Sequence, residues 1–328
     1  MSILSILGIL FLLFLVEYLY FKVATHYNIL DKPNHRSSHS DVTIRGGGVI
    51  FIVALLLYFI FFNFQYPYFI LGLLISGGIS FLDDLKPVSN KIRIICHLVS
   101  VALLFYQIGA FDQPIYLIIP AIVLAIGIIN AINFMDGING ITGIYSLVTL
   151  GSLLYINEMS IIRFSSGEMI IFALLAVIVF VFFNFRRKAI CFAGDVGSVG
   201  IAFIIIFLIA QLITTSGDIT YLFLFLVYGL DTITTIIFRL FRGENIFEAH
   251  RSHFYQFLAN EKKIPHQYVA LMYGIIQLLI NVYCISHNFY ALPIKLLLLF
   301  VCVLIFVLLR FSLEGKSLLL VQKNRDNE

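Results

Sequence analysis

Four short stretches carry side chains that can do chemistry, and they are far apart in an otherwise apolar chain. Asp83 and Asp84 are adjacent at the end of an apolar run, with Lys86, Lys91 and Arg93 just beyond. Paired carboxylates at a membrane surface bind a divalent cation, or one binds while the other accepts a proton. Neighbouring cations hold phosphate. An ordinary charged loop with a helix-capping Asp accounts for the same residues. Asn130, Asn133 and Asp136 recur every third residue, so one helical face can carry all three. Gly137 and Gly140 then let the chain turn sharply or approach a ligand. Helix C-terminal caps explain one Asn and one Gly, but not the group. The stretch Phe192 to Ser198 places Asp195 between Gly194 and Gly197, ahead of another apolar run. That suits a metal ligand beside a helix N-terminus, where backbone N–H groups favour phosphate; an N-cap and a turn read the same way. His250, Arg251 and His253 lie in the longest polar connection. The two histidines have zinc-compatible spacing but no evident third ligand, so contact with an anion is the better reading.

Two further features are less specific. Arg45 precedes three glycines, Gly46 to Gly48, which bring an arginine and bare backbone to a phosphate or simply let helices pack closely. Asp231 lies inside an apolar run, where a carboxylate must face the protein interior, and is read as orienting a cation such as Arg239. The four cysteines, Cys96, Cys191, Cys284 and Cys302, form no metal or disulfide pattern.

The elements that must position these groups are membrane helices. The 328 residues are 61% hydrophobic and 12% charged, contain no Trp, and have a mean hydropathy of +1.01. Soluble domains average about 45–50% apolar and about 25% charged. Apolar runs near the roughly 20 residues that cross a bilayer are expected at 2–24, 47–64, 68–82, 92–110, 115–132, 141–157, 168–185, 198–216, 219–240, 267–286 and 291–311. The fold class is therefore all-α and polytopic, about eleven spans in one integral-membrane domain over 1–328, with a polar tail from about 312. No charged segment precedes the first run, so it reads as a span rather than a cleaved signal. Connections alternate between short bland ones and long charged ones, and Lys and Arg concentrate on the second set. The positive-inside rule makes that side cytoplasmic. The N-terminus is then outside, the C-terminus inside, and every candidate group falls on the cytoplasmic face. A net charge of +3 reflects these loops and does not suggest nucleic acid.

Asp83-Asp84 with Lys91, the Asn130–Gly140 stretch, the Phe192–Ser198 stretch and the histidine loop occur in an order that resembles the polyprenyl-phosphate N-acetylhexosamine-1-phosphate transferase superfamily, glycosyltransferase family 4. Residues 31–48 and 248–256 look most like the branch that starts O-antigen and related surface glycans. The peptidoglycan-precursor branch has adjacent histidines, whereas Arg251 and Ser252 separate His250 from His253 here. The resemblance implies transfer of a sugar phosphate from a UDP-N-acetylhexosamine to undecaprenyl phosphate, with UMP released. It implies Mg2+, with Mn2+ as an alternative, in the bacterial inner membrane; membrane lipid and a homodimer complete the expected partners. By that match Asp195 is a principal metal ligand, assisted by Asp84 or Asp136. Asp83 is the candidate base or orienter of the lipid phosphate, and Lys91 contacts nucleotide or diphosphate. Asn130 and Asn133 lie on the diphosphate or uridine side, Phe192 stacks on uracil, and Arg45, His250, Arg251 and His253 contact phosphate or sugar. The competing readings are a secondary transporter, which would place ionisable groups at mid-membrane, and a non-catalytic subunit of a glycan assembly machine.

Overall fold

The structure, a computed structural model, describes residues 1–31, 42–159, 162–246, 248, 250–286 and 292–321. Lys32 and Arg36, and with them most of the 31–48 match, lie outside the described residues. The chain runs α1 (Ile3–His26), β1 (Leu30–Asp31), β2 (Thr43–Ile44), α2 (Val49–Phe61), α3 (Pro67–Leu85), α4 (Asn90–Gln107), α5 (Ile115–Met135), α6 (Ile141–Met159), α7 (Gly167–Asn184) and α8 (Gly194–Ser216). A tighter 3-10 segment (Ile219–Phe225) leads into α9 (Leu226–Phe241). The one-turn α10 (Phe254–Gln256), α11 (His266–Ser286), α12 (Leu292–Glu314) and α13 (Lys316–Leu320) follow. Eight of the described helical units are long and apolar enough to cross a membrane: α1, α3, α5, α7, α8, the Ile219–Phe241 unit, α11 and α12. The expected runs at α2, α4 and α6 are helices too, but α2 has 13 residues and the other two carry more polar side chains. The protein is an all-α multi-pass membrane protein.

Helix α8 is the axis. It is apolar all round, and almost every residue from Val196 to Ile209 is buried, as a helix surrounded by others should be. Its small residues let neighbours close in. A Cβ on Gly48 would stand 2.2 Å from the Gly197 Cα, so α2 and α8 meet backbone to backbone. On the α3 side, Phe69 stacks on Phe207 with centroids 4.0 Å apart, and a Cβ on Gly72 would meet Phe203 at 2.9 Å. Several helices run further than the apolar runs suggest. Helix α3 includes Asp83 and Asp84, α5 includes Asn133, and α8 starts four residues early and takes in Asp195. Polar side chains extend these helices because each finds a partner at the helix end, as shown below.

The ninth span is broken. The 3-10 segment leaves backbone groups without helical partners, and buried amides replace them. Gln277 Nε2 donates to Phe223 O at 2.8 Å, while its Oε1 accepts from Val227 N at 3.0 Å and from Tyr145 Oη at 2.8 Å.

Helix α12 is attached differently from the rest. Its apolar side chains, Leu297, Phe300, Leu304 and Leu308 among them, point outward, and none of its most apolar stretch is buried. Lys295 pairs with Asp218 and Thr220 near one end, and Arg310 enters the protein near the other. Between α12, α9 and α5 runs an apolar groove of about 1160 Å³. The segment expected to be a polar tail from 312 is helical as far as Leu320. Leu319 is buried, and the carbonyls of Leu318 and Leu319 accept from Arg242, so this segment packs against α9; residues 322–328 lie outside the described residues.

Candidate active site

The carboxylates are assembled from three helix ends. Asp83, in the last turn of α3, accepts from Val88 N at 2.6 Å and from Arg93 Nη1 at 2.7 Å. Arg93 Nη2 also lies 3.5 Å from Asp195 Oδ2. One arginine therefore bridges α3 and α8 from the first turn of α4. Lys91 is exposed on the same helix and makes no ion pair with this cluster among the described residues. Two residues along a helix is a rotation of about 200°, so only one of the two cations can face the carboxylates. The sequence reading gave the nucleotide or diphosphate contact to Lys91 and named Arg93 only as a nearby cation.

Asp84 points the other way, into the protein. Its carboxylate accepts from Asp195 N at 2.9 Å and Val196 N at 3.0 Å, and pairs with Arg45 Nε at 2.8 Å. These are the orphan donors of the α8 N-terminus, where negative charge is favourable. Arg45 stays more than a third exposed, held by Tyr20 Oη on its carbonyl at 2.6 Å. Gly46 and Gly194 both have positive φ, and a Cβ on Gly194 would collide with Asp84 at 2.5 Å and Gly46 at 2.9 Å. The glycines before α2 thus serve close packing while placing Arg45 at the carboxylates.

The Asn130–Gly140 stretch ends α5 and turns into α6. Asn133 Oδ1 accepts from Ser198 Oγ at 2.7 Å, tying α5 to the first turns of α8. Asn130 bonds back to Ile126 O in its own helix. Asp136 caps α5. Burial pushes its carboxyl up to about 6; the Thr142 hydroxyl works against this rise and the Asp84 charge adds to it. Asn139 and Asn184, which the sequence reading did not single out, fix the turn. Asn139 donates to the carbonyls of Arg186 and Arg187. Asn184 accepts from Gly140 N at 2.7 Å and donates to Cys191 O at 2.8 Å.

The histidine loop closes over this turn. Asp231 is fully buried, but it does not orient Arg239, which binds Glu244 and the carbonyls of Asn245, Ile246 and Glu248. Asp231 instead accepts from His253 Nδ1 at 3.3 Å, Phe254 N at 2.9 Å, Tyr255 N at 3.1 Å and Tyr273 Oη at 2.6 Å. Tyr255 Oη then donates to Phe134 O at 2.8 Å, and a Cβ on Gly137 would lie 2.2 Å from that oxygen. The rings of His250 and His253 lie 6.2 and 6.5 Å from Phe134. His253 Nε2 is buried without a partner. His250 Nδ1 accepts from Ser252 N at 3.4 Å, and burial, with the His253 charge next in effect, lowers its pKa to about 3. It is therefore a neutral ring at ordinary pH. Arg251 is exposed. Phe192 is half-buried and bonds through its backbone to Ile44 and Gly47.

Asp83, Asp195, Arg93, Arg45, Asn133, Asp136 and the histidine loop thus share one end of the bundle; among the described residues, Lys91 and Asn130 make no ion pair or hydrogen bond with the carboxylates. The donor set can be tested against a divalent ion. Asp83 and Asp195 offer two carboxylates, 12% and 22% exposed, on either side of one arginine. Mg2+ keeps several waters and takes one or two carboxylates plus substrate phosphates, so these two fit it. Asp84 offers little, because its lone pairs already serve α8 and Arg45. Among the described residues no three His, Cys, Asp or Glu side chains form a cluster, so a site closed by protein ligands alone is not built here.

Fold and site together define a class: a multi-pass helical membrane protein with carboxylates, arginines and a histidine loop gathered at one end of its bundle. Residues 66–213 match glycosyl transferase family 4, a span that holds Asp83, Arg93, Asn133, Asp136 and Asp195 but not Arg45 or the histidine loop. The chain is 27% identical over 272 residues to the undecaprenyl-phosphate alpha-N-acetylglucosaminyl 1-phosphate transferase of Yersinia pestis, covering 72% of this chain and 71% of the relative. It is 26% identical over 263 residues to the Salmonella typhi protein of the same name, covering 71% and 69%. Over residues 66–213 the chain is thus similar to glycosyl transferase family 4.

Proposed function

We propose that the protein transfers N-acetylhexosamine-1-phosphate, with N-acetylglucosamine the default sugar, from a UDP-sugar to undecaprenyl phosphate at the cytoplasmic face of the bacterial inner membrane. UMP is the by-product, and the lipid-linked sugar starts a surface glycan of the O-antigen kind. The eleven-span, N-outside arrangement belongs to this reading. The observation that carries it is the meeting of Asp83, Arg93 and Asp195 from three helix ends, at the end of the bundle where the apolar groove stops. The groove lining includes Ala131, two residues from Asn133, and Thr234, three residues from Asp231. A long isoprenoid fits such a lining, and its phosphate would then emerge beside the polar cluster.

In the reaction a lipid-phosphate oxygen forms a bond to the β-phosphorus of the nucleotide sugar. The bond from that phosphorus to the bridging oxygen breaks, and UMP leaves with the electron pair. One phosphoanhydride replaces another, so the equilibrium lies near balance. A phosphate monoester is mostly dianionic at pH 7, its second pKa being about 6, so no strong base is required. Catalysis then rests on positioning and on stabilising charge. Arg93 and Arg45 face the incoming phosphates, the Asn133 amide donates to a phosphate oxygen, and Asp83 orients the attacking group. Bound by Asp195 and Asp83, Mg2+ would supply Lewis-acid stabilisation of the diphosphate. His253 Nε2 and neutral His250 contact phosphate or sugar.

Purified protein in detergent, given undecaprenyl phosphate, Mg2+ and a panel of UDP-sugars, tests the reading by UMP release. Lipid- and Mg2+-dependent release that is lost in Asp195→Asn supports it and names the sugar. No release with any sugar from folded protein overturns it, and uptake of the same sugars into vesicles would point to a transporter.

A further inference from the structure

Arg310 belongs to α12, far in sequence from every residue assigned to the reaction. It is 1% exposed, and each of its five N–H donors has an acceptor. Nη1 donates to Thr234 Oγ1 at 3.0 Å and Thr235 Oγ1 at 2.8 Å. Nη2 donates to Ser252 O at 3.0 Å and Glu314 Oε1 at 3.1 Å, and Nε to Glu314 Oε2 at 3.0 Å. The guanidinium also lies over Phe238, with its carbon 5.1 Å from the ring centroid, and 6.0 Å from that of Phe254. Glu314 balances its charge locally, so the other contacts are not needed to neutralise it.

Their targets have one thing in common. Ser252 O is the carbonyl just before His253, and Phe254 is the residue just after it. Thr235 Oγ1, which accepts from Arg310, lies 3.2 Å from Asp231 Oδ1. Asp231 in turn holds the Phe254 and Tyr255 N–H groups and the His253 ring. The peptide on the N-terminal side of His253 is thus held chiefly by α12, with Thr235 Oγ1 a longer second donor to the same carbonyl at 3.4 Å, and the two on its C-terminal side by α9. An arginine suits this place because its planar fork sets several acceptors at fixed angles; a lysine carries the charge without the fork.

We propose that Arg310 is a positioning residue of the active site: it holds the 252–255 backbone so that the unpartnered Nε2 of His253 faces the substrate. The proposal rests on the assignment of His253 to the transfer site. Arg310 touches no substrate; it acts through Ser252 and Thr235.

Arg310→Gln, purified as folded protein, is read in two ways. The first needs no activity: hydrogen–deuterium exchange at the amides of residues 252–255. These are expected to lose protection while α11 keeps its own. The second is kinetic. With UMP release as readout, kcat is expected to fall about 10- to 100-fold, the usual cost of a small misplacement, with the KM of both substrates within about threefold. In a His253→Ala background the same change should alter kcat less than about twofold, because a residue acting through His253 has nothing left to position. Should Arg310→Gln not fold, Arg310→Lys, which keeps the charge and the Glu314 pair, is measured in the same way. Unchanged protection at 252–255, wild-type kcat, losses that add to those of His253→Ala, or failure of both variants to fold would each overturn the proposal. Wild-type protein that releases no UMP while Arg310→Gln still loses protection would overturn the reaction assignment and leave the positioning role standing.

Discussion

Arg93 and Lys91 differ by two places and, in this structure, by everything that matters for the site. Arg93→Gln leaves Asp83 and Asp195 facing each other without the cation between them; UMP release is expected to fall at least about 100-fold, as when a charge-assisted contact in the reaction is removed. Lys91→Gln should change it less than about fivefold. Equal losses would show that the side-chain directions are wrong. Asp136 makes a second prediction. Its folded-state pKa of about 6 is above the ordinary Asp value near 3.9, so the native state holds this proton more tightly than the unfolded chain. The associated stability is present at low pH and is lost as pH rises through about 6. Asp136→Asn should therefore raise Tm at pH 8 relative to wild type, by the equivalent of about 3 kcal/mol, and change it little at pH 4. A thermal melt at the two pH values decides, and a Tm gain that is the same at both would refute it. The residue types at the site were legible because carboxylates, amides and histidines are rare in this chain. The division of labour was not. Asp84 could not be known as the cap of α8, nor Asp231 as the anchor of His253, because both depend on segments more than 20 residues away.

Among the elements, α8 and α12 show what an apolar pattern can and cannot say. Both read as long hydrophobic helices, yet α8 is the centre of the bundle and α12 lies on its rim. The difference was available in one signal: α8 begins with Gly197, Ser198, Gly200 and Ala202 on its packing faces, whereas α12 has only large residues over most of its length. Small side chains permit close contact, and membrane helices pack by contact rather than by hydrophobicity. Gly48→Leu is expected to force α2 off α8, because the added atoms meet backbone that cannot turn aside. Overpacking of this kind costs about 1–3 kcal/mol or more, to be seen as a lower Tm in detergent; an unchanged Tm would mean the two helices are not in contact. The helix ends were less legible than the helices. Asp83, Asn133 and Asp195 fall just outside the expected apolar runs, and are helical because partners from other elements satisfy them there.

At the scale of the molecule, the chain is a closed set of helices around α8 with an apolar groove along one flank. Gly127 and Gly229 line that groove, and neither has an atom within 4 Å of where a Cβ would stand. Gly229→Leu should therefore fill the groove without disturbing the packing. If the groove takes the isoprenoid, the KM for undecaprenyl phosphate rises at least about tenfold while that for the UDP-sugar stays the same, and a rise in both would put the lipid elsewhere. No reading of the one-dimensional pattern could have found this space, because it lies between three helices that are separated in sequence and equally apolar.

The way α12 is fastened turns it into a measuring rod. From Lys295 to Arg310 is fifteen residues, about 22 Å of helix at 1.5 Å per residue, with a polar clip at each end and oily surface between. Which apolar residues stand on its outward face matters little; how many residues the stretch has matters a great deal. Removing one residue would turn one clip by about 100° relative to the other, so that both could not engage at once. An α12 with its outward residues Leu297, Phe300, Leu304 and Leu308 exchanged among themselves should therefore work, whereas an authentic one shortened by a single leucine should not.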